Sequence, residues 1–327
     1  MSLKLKDSSL VNPMKILVSG ALGQIGSVIT ELLLDRGDEV VGIDNLATGR
    51  REHLRDHPRL KLIIDTIANP TLIAAEVKRF RPDAIVHTAA SYKDPDDYYN
   101  DTLTNCVGGA NLVNAAREYR IGRFIYFQTA LCYGVKPLQQ PIRLDHPKLP
   151  ANSSYAISKT AAEDYIEISG INYVTFRLAN VVGPRNHSGP LPIFFKRLSE
   201  GKRCFVTKAR RDFVYSRDLA ACVLKAIDGI GHGAYHFSSG SDVSILELYD
   251  AVVKTMKLGA YPEPEIRELG ADDAASILLD PSRTIADFGR LHFTPLQAIV
   301  DAAVEYYHTH GTGDGVTHLR HTDARSR

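Results

Sequence analysis

The stretch "KILVSGALGQIGS", residues 15–27, decides the fold. A short apolar run leads into three glycines, Gly20, Gly23 and Gly26, and a helical pattern follows over residues 27–37. The first glycine permits a tight turn, the second lets a ligand approach the backbone, and the third lets helix and strand pack closely. A helix that begins here offers unpaired N–H groups to an anion. The stretch therefore predicts a strand, a turn and a helix that together hold the pyrophosphate of a dinucleotide.

A carboxylate follows at the distance that such a turn requires. Asp44 ends the second predicted strand (39–44), about 20 residues beyond the glycines, where an acid accepts hydrogen bonds from the adenosine ribose. A carboxylate there repels a 2′-phosphate, which favours NAD over NADP. Asp44 could instead be an ordinary turn residue, but that leaves its combination with the glycines unexplained. We expect Gln24, Ile25 and Asn45 to line the same cofactor site.

Strands and helices alternate through the first half of the chain. Further apolar runs at 59–65, 83–90, 123–129 and 172–178 predict strands, and the patterns at 72–80, 111–120 and 155–169 predict helices. Strands joined by helices form parallel sheets covered on both faces. The prediction is an α/β fold with a doubly wound parallel Rossmann sheet and a smaller C-terminal α/β substrate-binding domain.

The domain boundaries follow from where this regularity weakens. We expect an NAD-binding domain over 14–180, to which the chain returns at about 213–240. The Pro- and Gly-rich 181–212, together with 244–306, would form the substrate-binding domain. Polar residues 1–13 and 308–327 are expected to be flexible. The tail contains four histidines (His308, His310, His318, His321), but solvated histidines explain them, so no metal is predicted.

Composition narrows the class of partner. Lys and Arg total 39 against 38 for Asp and Glu, so no global field attracts nucleic acid or a membrane surface. The four cysteines are scattered without a C-x-x-C pair, which is typical of a reducing cytoplasm. Neither a signal peptide nor an apolar run of about 18 residues is present. A cytoplasmic protein with a small-molecule substrate is the expectation.

Tyr155 and Lys159 lie four residues apart on a predicted helix and so share a face. A phenol is a poor base at neutral pH, but a neighbouring ammonium and an oxidised nicotinamide would stabilise its phenolate and lower its pKa. Such a pair is common on protein surfaces. Here it follows a dinucleotide turn and a strand that ends in Thr129, which makes the pattern specific.

Together these residues resemble the extended short-chain dehydrogenases/reductases, and within them the nucleotide-sugar epimerases of the UDP-glucose 4-epimerase type. The resemblance runs from about residue 15 to 307. Besides the glycines and the Tyr/Lys pair, it rests on Asn105 and on the segments "DNLATGRREHL" (44–54), "VHTAA" (86–90), "TALCYG" (129–134), "FRLANVVGP" (176–184) and "RDFVYSRDLA" (211–220).

The resemblance implies NAD-dependent epimerisation at C4 of a nucleotide-diphosphate sugar through a 4-keto intermediate. It implies that Tyr155 is the base, Thr129 hydrogen-bonds the same sugar oxygen, and Lys159 holds the nicotinamide ribose. It further implies tightly bound NAD, a homodimer through helices near 101–118 and 155–169, and a place in bacterial surface-polysaccharide synthesis. Additional residues implied to contact cofactor are Thr66, Ile67, Ala89 and Ala90, and those implied to contact substrate are Asn180, Arg211 and Asp273.

Some of these roles have simpler alternatives. Asn180 could cap a turn, and Arg211 could pair with Asp212. A family arginine is missing, because Gly270 occupies its position; either Arg267 substitutes from one turn away or the diphosphate is gripped less tightly. Ile277 falls where the family has a residue that gates the C2 substituent, and its size would admit a 2-acetamido sugar.

Ala130 and Leu131 choose among related activities. Similar 4,6-dehydratases have Thr-Asp-Glu here and the decarboxylases have Thr-Ser-Glu, whereas this chain has no carboxylate for either step. C4 epimerisation remains the expected chemistry. The alternatives are a nucleotide-sugar 4-keto reductase or dehydrogenase that exchanges NAD(H), and a non-catalytic NAD-binding scaffold.

Overall fold

The computed structural model describes residues 12–92, 94–150, 153–270 and 273–313. The first half contains β1 (Lys15–Ser19), α1 (Gln24–Arg36), β2 (Glu39–Asp44), β3 (Leu60–Ile64), α2 (Pro70–Phe80), β4 (Ala84–His87), α3 (Tyr98–Asp101), α4 (Gly109–Glu118), β5 (Arg123–Thr129), α5 (Ser154–Ile168) and β6 (Tyr173–Leu178). The second half contains β7 (Asn180–Val182), α6 (Pro190–Ser199), β8 (Phe205–Thr207), β9 (Arg210–Arg211), β10 (Phe213–Tyr215), α7 (Ser216–Ile227), β11 (Gly233–Phe237), β12 (Val243–Ser244), α8 (Ile245–Met256), β13 (Glu265–Arg267), β14 (Ser276–Ile277), α9 (Ser282–Phe288) and α10 (Leu296–His310).

Seven strands form one parallel sheet in the order β11-β6-β5-β4-β1-β2-β3. Apolar side chains cover both faces: one layer packs under α1 and α7, and the other under α2, α4 and α5. The predicted doubly wound Rossmann sheet is confirmed. Because all seven strands run the same way, their carboxyl ends meet at one edge, which is where such sheets bind ligands.

A separate apolar cluster joins α6, α8 and α10. α6 lies in the predicted substrate-binding segment 181–212, and α8 and most of α10 lie in the other, 244–306. The exact boundaries of this domain stay a prediction. The chain returns to the main sheet over a shorter stretch than expected. Of residues 213–240, β11 joins the main sheet beside β6, whereas β10 pairs with β7 in a two-stranded sheet.

The helices differ from the predicted patterns at their ends. α1 begins at Gln24, inside the glycine turn, rather than at residue 27. A π-helical segment, Thr102–Gly108, joins α3 to α4, so the chain is helical from 98 to 118 rather than from 111. Irregular π segments carry no residue pattern that marks them in a sequence, and they recur at functional sites.

The first residues of the segment predicted to be flexible, 308–327, are part of the folded structure. α10 continues to His310, and the buried Thr312 carbonyl accepts a hydrogen bond from Nδ1 of His187 at 2.6 Å. Residues 1–11 and 314–327, with His318 and His321, lie outside the described residues. Within the described ranges, no group of His, Cys, Asp or Glu is arranged to hold a metal, and no helix is both long and apolar enough to cross a membrane.

Arg123, the first residue of β5, ties the sheet to the end of α7. Its guanidinium is 5% exposed and donates to the carbonyls of Ala226, Ile230 and Gly231 and to Oδ1 of Asn172. Burial lowers the pKa of Arg123, yet its donors all have partners. One side chain therefore satisfies the carbonyls at the end of a helix that packs against α1.

Replacing Arg123 with Ala should lower the free energy of unfolding by about 3 kcal/mol, because several buried acceptors lose their donor at once. The exposed Arg55 is the matched control, and Arg55→Ala should change stability by less than about 0.5 kcal/mol. Urea denaturation followed by circular dichroism measures both. Equal effects of the two variants would contradict the assignment.

Candidate functional site

A cavity of about 560 Å³ opens at the carboxyl edge of the sheet. It lies beyond the ends of β1, β2, β4, β5 and β6. Every residue predicted to contact the cofactor lines it, as does Thr129: Gly20, Gly23, Gln24, Ile25, Gly26, Asp44, Asn45, Thr66, Ile67, Ala89, Ala90, Tyr155 and Lys159. Residues predicted from motifs more than 130 positions apart therefore surround one space.

Two positions of the glycine turn, Gly20 and Gly26, have no room for a Cβ. A Cβ on Gly26 would lie 2.1 Å from the Gly20 carbonyl oxygen, and a Cβ on Gly20 would lie 2.6 Å from the amide nitrogen of Ala89. Gly20 also has a φ of +72°, which favours glycine. No side chain caps the N-terminus of α1. Its first N–H groups therefore face the cavity as an anion site of backbone donors.

Asp44 is held rigidly at the end of β2. Its two carboxylate oxygens accept hydrogen bonds from the backbone N–H groups of Leu22 (2.9 Å) and Leu46 (2.8 Å). Burial raises the pKa of Asp44, while these two bonds act against the rise. The carboxylate is thus fixed beside the glycine turn, in the position expected for a ribose acceptor.

Tyr155 and Lys159 lie on the buried face of α5. Lys159 is 2% exposed, and its Nζ sits 4.1 Å from the centre of the Tyr126 ring. Burial lowers the pKa of Lys159 to about 7, with Glu163 opposing the fall. Burial raises the pKa of Tyr155, and Tyr92 and Asp101 add to the rise. Desolvation therefore dominates the pKa of Tyr155 in the protein without nucleotide, and the lowering expected beside bound NAD stays a prediction.

Thr129 has two uses for its hydroxyl. Its Oγ1 accepts a hydrogen bond from the Leu131 N–H at 3.2 Å and so caps a short 3₁₀ helix, Ala130–Tyr133. That bond uses a lone pair and leaves the hydroxyl proton to be donated into the cavity. The strand-cap interpretation and the substrate-contact interpretation are therefore compatible.

Two further residues support the site, and neither was assigned a contact there from the sequence. The Tyr92 ring meets the Tyr155 ring edge-on, with centroids 6.1 Å apart, in the cavity wall. Asn105, on the π segment, clamps the backbone of Ser91 through two bonds of 2.9 and 3.0 Å and donates to Ser158 Oγ at 2.9 Å. Asn105 therefore joins the loop after β4 to α5, the helix that carries Tyr155 and Lys159.

Of the predicted substrate residues, Thr129 lines this cavity, whereas Asn180, Arg211 and Asp273 do not. Asn180 is exposed at the start of β7, where its side chain donates to the Asp212 carbonyl at 3.4 Å. Arg211 donates to Asp273 Oδ1 at 2.6 Å and to the Ala274 carbonyl at 2.7 Å. Arg211 and Asp273 thus come together, and the carboxylate that Arg211 contacts is Asp273 rather than Asp212. Their contact with a substrate stays a prediction.

Arg267 is engaged elsewhere. It pairs with Glu265 at 2.9 Å and lies over the Phe205 ring, with its guanidinium carbon 4.3 Å from the ring centre. Ile277, in contrast, is buried in a cluster with Ala130 and Tyr133, directly beyond Thr129. The predicted gating position of Ile277 therefore adjoins the end of β5, where Thr129 lies. The partners of Arg267 lie on β13 and β8, which pair with each other.

The cavity residues fit NAD. Backbone donors suit a pyrophosphate, a fixed carboxylate suits a ribose diol, and the close contacts of Gly20 and Gly26 exclude a side chain at those two positions. The model for the NAD dependent epimerase/dehydratase family matches residues 16–236, more than half of the chain. The chain belongs to this family.

Solved structures and curated relatives agree with the family. WbmH of Bordetella bronchiseptica, solved in complex with NAD+, is 69% identical with a TM-score of 0.90, and the match covers 92% of this chain and 100% of that one. WbmG of the same organism, in complex with NAD and UDP, is 37% identical with a TM-score of 0.87, over 94% and 99%. A UDP-glucose 4-epimerase of Mycolicibacterium smegmatis is 29% identical over 90% of this chain and 98% of its own.

These similarities confirm the predicted family, the cofactor and the enzyme class. The protein is an NAD-dependent isomerase of the nucleotide-sugar 4-epimerase kind. The particular sugar, the roles of single residues and the oligomeric state are matters for proposal.

Asp44→Asn should weaken NAD binding about 10- to 100-fold, because hydrogen bonds to a charged acceptor are worth about 1.5–3 kcal/mol. Removing the charge should also narrow the preference for NAD over NADP. Calorimetric titration of nucleotide-stripped protein measures both affinities, with the exposed Asp56→Asn as control.

In the unaltered protein, NAD affinity should fall on acidification at a higher pH than for an ordinary Asp, because the raised pKa lets Asp44 protonate earlier. An Asp44→Asn protein with unchanged NAD affinity would contradict this role.

Proposed function

We propose that this protein inverts C4 of a UDP-linked hexose through a transient 4-keto sugar. The observation that carries the proposal is the meeting of Thr129, Tyr155 and Lys159 at one cavity, followed by two residues without charge, Ala130 and Leu131. Oxidation and re-reduction at C4 need one base and one hydride carrier. Elimination or decarboxylation would need further ionisable groups.

In this mechanism the three side chains divide the work at C4 of the sugar. Tyr155 accepts the proton of the sugar 4-hydroxyl and later returns it, and Thr129 donates a hydrogen bond to the same oxygen. The Lys159 ammonium holds the nicotinamide ribose and stabilises the Tyr155 phenolate. Bound NAD supplies the hydride acceptor and donor, and its nicotinamide charge offsets the burial that raises the pKa of Tyr155.

The substrate class rests on narrower support. The UDP in the similar WbmG structure favours a uridine diphosphate, and Arg211 offers a guanidinium suited to phosphate. Ile277 packs beside Ala130 at the position expected to gate the C2 substituent. A side chain of its size favours a 2-acetamido sugar or its uronic acid, which a bulkier residue there would exclude. A product of this kind would serve as a glycosyl donor, in keeping with surface-polysaccharide or O-antigen synthesis.

A panel of UDP-glucose, UDP-N-acetylglucosamine and their uronic acids, followed by NMR for inversion at C4, tests the proposal. UDP-N-acetyl sugars should react, and Tyr155→Phe should lower kcat by about 10²–10⁴ while NAD stays bound. Thr129→Val should lose both a substrate contact and a cap. If UDP-glucose reacts and no 2-acetamido sugar does, the Ile277 assignment is wrong.

The same assay separates the alternatives. An epimerase shows no net absorbance change at 340 nm during turnover and retains its nucleotide through purification. A sustained change at 340 nm would instead indicate a 4-keto reductase or dehydrogenase. Full cellular function of Tyr155→Phe would indicate a scaffold.

We also propose that the protein is a homodimer through the helical stretch 98–118 and α5. The outward faces of these helices carry large apolar side chains that are well exposed in one chain, an arrangement that marks interaction surfaces. Six such residues are Tyr98, Tyr99, Val107, Ile157, Tyr165 and Ile168. Two copies of this helix pair would cover them as a four-helix bundle.

Tyr165→Glu/Ile168→Glu should convert the dimer to a monomer, because two charges would enter the apolar contact. Light scattering at micromolar concentration measures the mass. Ile193→Glu, at an exposed apolar position of α6, is the control and should leave the dimer intact. A monomeric unaltered protein would refute the proposal.

A further inference from the structure

A buried carboxylate stands directly behind the proposed catalytic residues. Glu163, on α5, is fully buried. Its Oε1 accepts a hydrogen bond from Arg177 Nε of β6 at 2.9 Å, and its Oε2 accepts one from Gln128 Nε2 of β5 at 3.1 Å. Both oxygens are therefore held, and the carboxylate joins the helix to two neighbouring strands.

Gln128 extends this contact to both sides of the active site. Its Nε2 also donates to the Lys159 carbonyl at 3.2 Å, and its Oε1 accepts a hydrogen bond from the Thr129 N–H at 2.8 Å. One amide side chain, 1% exposed, thus fixes the backbone of Thr129 on the strand and that of Lys159 on the helix. Any shift of Glu163 would be passed to both residues.

Stability alone is a weak reason for such an ion pair. Taking Glu163 and Arg177 out of water carries a large desolvation cost, and well-packed apolar replacements of buried pairs are often neutral or stabilising. Glu163 follows Lys159 by four residues and Tyr155 by eight, on the same face of α5. Its position points to an effect on Lys159.

The Lys159 ammonium needs an opposite charge. Burial lowers the pKa of Lys159 to about 7, and Glu163 is the foremost group that acts against this fall. The groups that face Lys159 from other elements are neutral at pH 7: Tyr126 of β5, Cys106 of the π segment and His87 of β4. The groups that face Glu163 are cationic or polar: Arg177, Lys148 (3.7 Å) and Gln128.

We propose that Glu163 is a positioning residue of the active site: held by Arg177 and Gln128, it keeps the Lys159 ammonium charged and fixes Lys159 against Thr129. This inference rests on the proposed function, in which a charged Lys159 stabilises the Tyr155 phenolate. It assigns a role in turnover to a residue that touches neither cofactor nor sugar.

Titration of Lys159 in the NAD-bound protein tests the charge effect without any sugar. Lysine labelled with ¹³C at Cε reports protonation by NMR, and Lys159→Arg identifies the signal. In Glu163→Gln the pKa of Lys159 should fall by about one unit or more. The double variant Glu163→Gln/Arg177→Met leaves no unpaired buried guanidinium and serves if the single variant does not fold.

Asp164→Asn is the matched control. It removes a carboxylate from the same helix, one residue away, but that carboxylate is half-exposed and pairs with Lys148. It should leave the Lys159 titration unchanged. A folded Glu163 variant with an unchanged Lys159 titration would overturn the proposal, and so would an equal shift in Asp164→Asn.

Activity gives the second readout. Because a lower pKa removes the ammonium at lower pH, the alkaline limb of the kcat profile should move to lower pH in the Glu163 variants. Gln128→Met keeps every charge, so it should lower kcat about tenfold while the alkaline limb of the kcat profile stays at the same pH. Unchanged kcat in Gln128→Met would overturn the positioning role. If no sugar reacts with the unaltered protein, the proposed function fails, while the Lys159 titration still decides the effect of Glu163.

Discussion

The structure depends on one contact that side chains would prevent. Gly26 lies so close to the Gly20 carbonyl that α1 begins almost on top of β1, and Gly20 itself rests against the backbone of Ala89. This approach brings the first N–H groups of α1 to the carboxyl edge of the sheet. Everything else at the site is arranged around the space that results, because β2, β4, β5 and β6 end at the same edge.

The proposed catalytic residues are positioned by backbone and side-chain bonds of several elements. The Thr129 N–H donates to the Gln128 side chain, and the Thr129 hydroxyl caps the turn that follows it. The Lys159 carbonyl accepts hydrogen bonds from Gln128 and from the Tyr126 hydroxyl at 2.9 Å, and the Lys159 ammonium lies over the Tyr126 ring. Buried polar networks of this kind are costly when incomplete and rigid when complete. Here the network holds the Lys159 carbonyl and the Thr129 N–H through hydrogen bonds to buried side chains.

The sequence was sufficient for the sheet and for bringing the predicted cofactor residues to one cavity, because both depend on local rules. Strands and helices alternate with their own periods, and the glycines and Asp44 stand at fixed distances from strand ends. It was insufficient where partners come from far along the chain. Arg211 meets Asp273 rather than the adjacent Asp212, Arg267 turns to Glu265, and Thr312 folds back on His187. The π segment was missed because it has no residue signature, and Glu163 because a charge within a helix usually faces water.

The packing beyond Thr129 has a consequence for changing the reaction. Ala130 is 9% exposed and belongs to a cluster of buried residues that includes Tyr133, Ile142 and Leu279. A carboxylate introduced at 130 would enter this apolar cluster and pay for desolvation rather than reach a sugar. Conversion of this scaffold to an eliminating or decarboxylating enzyme would therefore demand a rebuilt wall, not a point substitution. The packing around Ala130 therefore restricts the reaction as much as the absence of a carboxylate does.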